Sequence, residues 1–306
     1  PKNQNFDFTV DLKNFNHLSS IFFPELKIPD RGVFNGKFDS EKNFVSLNAF
    51  AKTVSYNNII FSNVIIDQIT TDKSFETTVT LDKIELENNN MFVKNIVLQN
   101  TLKSDSLTFN IKLSDKDAVN QLDLYGLVEF GSDTLAKLSL LPSDLIIEND
   151  VWKIQDKVKF KFEEKRTIIE NFELSNKQQI LAINGAISSS KDDLLEIVTE
   201  NFRLSSLSQL TKGLGVELSG IMNGSANLSA ILGEPDINAD LSIDSLKYNE
   251  TDIGKMLVNA QFDNQQNNIQ IKSTIEKNKK RTADIAGIVD FKKDAENLNL
   301  DVNLNG

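Results

Sequence analysis

The chain has 306 residues, no cysteine, a single histidine (His17), and 44 acidic against 33 basic residues, for a net charge of −11. These numbers exclude disulfides, thiolate metal sites and a cysteine nucleophile, and they rule out a multi-histidine zinc site. They also argue against a histidine-based triad and against a nucleic-acid backbone as partner.

Taken in chain order, the first element is a short helix. Phe15, Leu18, Ile21 and Phe22 recur at helical spacing behind an Asn14 cap, and Pro24 stops the segment, so a helix is expected near 14–23 with its stripe laid on the sheet or over its edge. His17 reads as a polar residue of that helix. Nearly everything after it alternates with period two. Leu107, Phe109, Ile111 and Leu113 are separated by polar residues, and Val158, Phe160 and Phe162 by lysines. Ile237, Ala239, Leu241 and Ile243 follow the same beat, as do Ile269, Ile271 and Ile275, then Leu298, Leu300, Val302 and Leu304. Period two puts the apolar residues of a strand on one face and the polar ones on the other, which favours antiparallel pairing. Leu204, Leu207, Leu210 and Leu214, ended by Gly213 and Gly215, predict a second short helix near 204–213. Lys277–Arg281 reads as a solvated hairpin tip, with contact to anionic headgroups as its alternative.

A glycine-centred phrase recurs through this pattern. It reads Leu124-Tyr125-Gly126-Leu127 with Asp133 seven residues after the glycine, then Ile183-Asn184-Gly185-Ala186 with Asp192, then Ile285-Ala286-Gly287-Ile288 with Asp294. A looser copy runs from Gly36 to Asn43. Read as a hairpin, one strand approaches the glycine, a second leaves it and a polar turn follows. The glycine then serves either a tight turn or a bend too crowded for a side chain.

About two dozen half-apolar strands need cover, because a buried Leu, Ile or Phe contributes about 1.5–3 kcal/mol. Few helices are there to supply it. The sheet can close on itself as a β-sandwich array, coil as a β-solenoid, or curl into a trough filled by lipid tails, and alternation alone does not choose. Sites for chemistry are absent from the pattern. Gly213-Leu214-Gly215 lacks the third glycine and preceding strand of a dinucleotide loop, and Asp192-Asp193 and Glu163-Glu164 point to opposite faces of a strand. Asp72, Asp105 and Asp115 lie near turns without a spaced calcium loop. No catalytic residue, cofactor or metal is expected.

From Trp152 to Phe291 the succession is more specific. Val151-Trp152-Lys153-Ile154, Val158-Lys159-Phe160-Lys161-Phe162 and Ile169-Glu170-Asn171-Phe172-Glu173-Leu174 lead into Gln179–Ser188 and Asp193-Leu194-Leu195. Asn201-Phe202-Arg203-Leu204, Leu218–Gly224, Pro235, Leu241-Ser242-Ile243, Asp252-Ile253-Gly254 and Ala260–Asp263 complete it. This succession resembles the TamB family of translocation and assembly module proteins, in its longer Bacteroidetes form and in the central-to-late part of the repetitive body. The resemblance implies an AsmA-like, chorein-like fold: an elongated U-shaped antiparallel sheet, or β-taco, interrupted by two short helices. It implies transport of glycerophospholipids from inner to outer membrane, with acyl chains as cargo and a TamA-like or other outer-membrane barrel protein as partner. It also implies a periplasmic location in a Gram-negative cell, anchored to the inner membrane through a segment outside this chain, where membrane contact would also lie. On that reading residues 1–150 and 151–306 are two β segments of one rod cut from a longer chain. The groove would be lined by Leu107, Phe109, Ile111, Val158, Phe160, Phe162, Leu241, Ile243, Ile269, Ile271, Leu300 and Val302. The alternative is a structural or adhesive cell-surface β-repeat protein, with dry cores about every 100 residues.

Overall fold

The computed structural model describes residues 3–86, 92–114, 121–131, 136–147, 149–207, 216–263, 268–289 and 298–304, apart from the side chains of His17 and Leu18. The chain is all-β, and every described strand register is antiparallel. Two compact units divide it: Pro1–Gly131 with Leu138–Trp152, and Lys153–Gly306 with Ser132–Lys137.

The first unit begins with β1 (Asn5–Leu12), α1 (Asn16–Phe22) and β2 (Leu26–Lys27). A meander follows: β3 (Gly32–Asp39), β4 (Phe44–Tyr56), β5 (Ile59–Thr70), β6 (Phe75–Leu86), β7 (Phe92–Lys103), β8 (Ser106–Ser114) and β9 (Gln121–Glu129). Each strand from β3 to β9 pairs with the next, while β1 returns to pair with β3. Next come β10 (Ala136–Leu140), β11 (Ser143–Ile147), which pairs with β9, and β12 (Asp150–Ile154). The second unit is a ten-strand meander: β13 (Val158–Phe162), β14 (Arg166–Asn176), β15 (Gln179–Ser188), β16 (Leu194–Arg203), β17 (Leu218–Ser229), β18 (Asp236–Tyr248), β19 (Thr251–Asp263), β20 (Asn268–Lys277), β21 (Lys280–Val289) and β22 (Leu298–Leu304). Sequential antiparallel pairing is what half-wet, alternating strands joined by short polar turns dictate. At the β20–β21 tip Asn278 and Lys279 both take positive φ (52° and 61°), the backbone that matches a two-residue hairpin loop to strand twist. Lys277 there pairs with Asp252 at 3.1 Å.

The helices differ from the stripe pattern. Asn14 accepts a hydrogen bond from the Asn16 N–H at 2.9 Å, so it braces the helix one residue ahead of the cap position. Asn16 in turn accepts from the Ile28 N–H, and the Phe15 N–H donates to the Ile28 carbonyl. These ties turn Ser19 inward and leave Ile21 (71% exposed), Phe22 and Phe23 in the open, while Phe15 is half-buried. Of the second expected helix only Leu204–Leu207 is described, as a 3-10 turn with Leu204 buried. Leu210, Gly213, Leu214 and Gly215 lie outside the described residues.

The glycine phrase is not a hairpin. Gly36, Gly126, Gly185 and Gly287 lie inside single strands β3, β9, β15 and β21. Of the acids, Asp192 occupies the turn after β15, while Asp133 and Asp294 lie outside the described residues. Two kinds of constraint hold these glycines. At Gly185 (φ 121°) a Cβ would stand 2.0 Å from the Leu194 carbonyl oxygen, and at Gly224 (φ 133°) 2.1 Å from that of Asp240. Neither the torsion nor the neighbouring backbone admits a side chain. At Gly36 and Gly126 the space is taken by the rings of Phe8 and Phe109 from the facing strand.

Left-handed residues also recur within the strands, each where two apolar positions stand three apart rather than two. The segments are Phe61-Ser62-Asn63-Val64, Val93-Lys94-Asn95-Ile96, Ile169-Glu170-Asn171-Phe172, Thr199-Glu200-Asn201-Phe202 and Ile243-Asp244-Ser245-Leu246, with φ near +50° to +60° at the third residue. In the second unit they are β-bulges in β14, β16 and β18, which bend and twist the strands that carry them. The Asn171 N–H donates to the Asn184 side chain and the Asn201 N–H to Asn223, both at 2.7 Å. The Asn-Gly dipeptides of β15 and β17 therefore clamp a bulge on the neighbouring strand.

Gly185→Ala should lower stability by at least about 2 kcal/mol, since both torsion and backbone resist it. Gly126→Ala should cost about 1 kcal/mol, because the Phe109 ring can swing aside. Urea unfolding of the two variants checks the order; a larger loss at Gly126 would refute the backbone explanation.

Candidate functional site

Residues opposite one another in an antiparallel ladder share a face, so the registers trace rows across each unit. In the second unit one row runs Ile183–Ile197–Ala226–Ala239–Ala260–Ile271–Gly287–Leu300. The next runs Leu181–Thr199–Gly224–Leu241–Val258–Ser273–Ile285–Val302. Met222–Ile243–Met256–Ile275–Ala283–Leu304 lies to one side, and Phe262–Ile269–Val289–Leu298 to the other. Toward β13 the face continues as Phe160–Ile169–Gly185–Leu195–Leu228–Ile237 and Phe162–Thr167–Ile187, with the fully buried Val158 two residues before Phe160. No charged side chain falls in any of these rows.

The opposite face is its complement. Ser225–Asp240–Asn259–Lys272–Ala286–Asp301 and Asn184–Glu196–Asn227–Asn238 are two of its rows. Ion pairs dress it: Lys255 with Asp244 at 3.2 Å, and Lys161 with Glu170. The hydrogen bond from Lys161 holds the Glu170 carboxyl below the usual range for a glutamate. Arg166 bridges Glu163 at 2.6 Å and Asp193 at 3.4 Å.

The first unit repeats the design. Val10–Phe34–Ala49–Ile66–Val79–Leu98–Ile111–Leu124 and Phe6–Phe38–Val45–Thr70–Phe75–Leu102–Leu107–Val128 are rows of one face. Between them lies Phe8–Gly36–Leu47–Gln68–Thr77–Asn100–Phe109–Gly126. The outward face carries Thr9–Asn35–Asn48–Asp67–Thr78–Gln99–Asn110–Tyr125. An open dip of about 450 Å³ on that polar side is lined by Asp7, Thr9, Asn35, Asn48 and Asp67 among others.

All twelve residues expected to line a groove therefore lie on apolar faces. Leu107, Phe109 and Ile111 share that of the first unit; Val158, Phe160, Phe162, Leu241, Ile243, Ile269, Ile271, Leu300 and Val302 share that of the second. The alanine row through Ala226, Ala239 and Ala260, the bulge asparagines and the polar residues Gln68, Thr77 and Asn100 complete the lining. The three-residue step at each left-handed asparagine is the sequence signal that would have carried the alternation across the bulges.

Among the described residues no second sheet is present, and helix is limited to α1 and one 3-10 turn. Burial along the faces is uneven: Val158, Ile169, Leu195 and Ile269 are buried, Phe109, Ile111, Phe160, Leu241, Ile243 and Ile271 are half-buried, and Leu300 and Val302 are exposed on β22. Ten strands at ~4.8 Å and four apolar positions per strand at ~6.8 Å give the second face an extent of roughly 43 by 20 Å. That bounds the face at about 860 Å², only part of it exposed, against the 300–600 Å² of exposed apolar surface in the largest patch on an ordinary monomer. Chemically such a face can hold hydrocarbon. Its rows present no charged side chain and no acid–base pair.

Comparison with known proteins adds no relative: no family model, curated protein or solved structure matches the chain.

An uncharged solvatochromic dye should bind this protein. Leu241→Lys, on the apolar face, should weaken that binding about tenfold, the loss of one buried leucine's share. Asn259→Lys, on the opposite face one strand away, should leave it unchanged. Fluorescence titration checks the contrast, and equal effects of the two would contradict the assignment of faces.

Proposed function

We propose that the chain is a lipid-conducting segment of TamB type, which carries the acyl chains of glycerophospholipids along its apolar faces between the inner and outer membranes of a Gram-negative cell. The observation that carries this reading is the uncharged, mostly apolar register from β13 to β22, polar on its reverse and with no second sheet over it among the described residues. Tails would lie against the rows while headgroups stay where water reaches. The route is passive, since the lining holds no group that could bind a nucleotide or transfer a proton. Support for outer-membrane protein assembly, a TamA-like barrel as partner and a periplasmic setting belong to the same proposal. Self-filled cores, which an adhesive repeat protein needs, find little support in the described residues. Their buried apolar side chains number 18, and six of these are alanines with little volume to fill a core.

A photoreactive residue placed at Phe160, Leu241 or Ile271 should crosslink phospholipid in cells, and the same residue at Lys161 should not. Mass spectrometry of the adducts reads the result. Labelling from Lys161 alone, or from neither face, would overturn the proposal.

A further inference from the structure

The middle row of the first unit breaks the apolar pattern at one place. Gln68, Thr77 and Asn100 stand side by side on β5, β6 and β7, on the face that otherwise carries Leu47 and Phe109. The rows that flank them, Thr70–Phe75–Leu102–Leu107 and Ile66–Val79–Leu98–Ile111, hold no charged side chain. Gln68 and Thr70 bond to each other through their side chains. The Thr77 hydroxyl is sealed from solvent with no hydrogen-bond partner. Asn100 is half-buried, and its amide forms no hydrogen bond within the described residues. Two adjacent polar groups with unused capacity, in an apolar lining, call for an explanation, since buried polar groups are nearly always paired.

We propose that Gln68, Thr77 and Asn100 form a polar crossbar that hydrogen-bonds the uncharged polar part of an amphiphile, its ester carbonyls or a hydroxyl, while its chains lie on the apolar rows to either side. This rests on the lipid-conducting reading above and adds to it a fixed station. Asn100 offers two N–H donors and a carbonyl acceptor at the surface of the row. Thr77, one strand spacing of ~4.8 Å away, joins it by a rotation about χ1. The flanking rows lie ~6.8 Å to each side along the strands, so an occupant with its polar group on the crossbar meets hydrocarbon-compatible surface at once. The absence of any lysine or arginine from these rows sets the class. A phosphate would go unneutralised there, whereas an ester or hydroxyl is matched by amide and hydroxyl groups.

The test uses the full chain with two probes, a pyrene-labelled phosphatidylglycerol and a pyrene-labelled alkane of equal chain length, against the variants Asn100→Leu and Gln68→Leu. Asn100→Leu should weaken the ester probe about tenfold, the loss of one to two hydrogen bonds, while the alkane binds as before or better. Gln68→Leu should act in the same direction. Pyrene-labelled diacylglycerol should bind the parent protein as well as the phosphatidylglycerol does, because the phosphate makes no contact at the crossbar. Unchanged ester binding in both variants, or a preference for the phosphate-bearing probe that Asn100→Leu abolishes, would overturn the crossbar. Equal loss of both probes would overturn it too, by showing that the row only shapes the sheet. Failure of the parent protein to bind any probe would instead sink the lipid-conducting reading on which the crossbar depends.

Discussion

The governing constraint is an apolar sheet face that no second sheet covers among the described residues. A β-strand with period-two alternation must bury one side, and a ten-strand meander multiplies that obligation. In most β proteins a second sheet or a layer of helices meets it. Among the described residues α1 turns Phe22 outward and Leu204–Leu207 is a single 3-10 turn, so little helix is there to meet it. Every other feature of the fold can be read as keeping that face continuous and bent rather than covered.

Keeping it continuous is a problem of counting. A regular strand that bends by a bulge gains a residue, and a gain of one residue would throw all later side chains to the wrong face. The left-handed asparagines solve this: Ile169 and Phe172 are three apart on β14, yet they face Gly185 and Ile183, two apart on β15. Asn171 absorbs the difference, and Asn184 takes up the N–H that the bulge frees. Beside that clamp the strands come so close that only glycine fits at Gly185, its would-be Cβ lying on the Leu194 carbonyl. Bend, clamp and glycine are one device, repeated with Asn201, Asn223 and Gly224.

Much of this is legible in the sequence. Alternation through Leu241-Ser242-Ile243 or Ile269-Gln270-Ile271 fixes both the strand and its two faces, and sequential turns fix the antiparallel order. The glycine phrase is visible as a repeat but reads locally as a turn, because Asn-Gly is the strongest short-range hairpin signal and its mid-strand use depends on a neighbouring strand. Helical spacing at Phe15, Ile21 and Phe22 specifies the helix but not its orientation, which is set by backbone bonds to Ile28, twelve residues on from Asn16. The crossbar is invisible in the sequence for the same reason. Gln68, Thr77 and Asn100 lie on three different strands, and only the register brings them together.

The register also bears on how a guest could move. On the second face, successive rungs offer the same kind of contact at each ~4.8 Å step: Ile197, Ala226, Ala239, Ala260, Ile271. Dispersion contacts are individually tiny and non-directional, so a chain lying across such rungs exchanges one set for an equivalent set as it slides, with little net change in energy. Directional bonds would break that equivalence. They are concentrated on the reverse face, where Lys161 and Glu170 or Lys255 and Asp244 pair in contact with water, and on the lining side they recur in the row through Thr77 and Asn100 and at Thr199 and Ser273 of the second unit. Smoothness favours passage and a polar row favours a pause. Each lining therefore combines runs where one rung is like the next with a few rungs, at Thr77 and Asn100 or at Thr199 and Ser273, that are not.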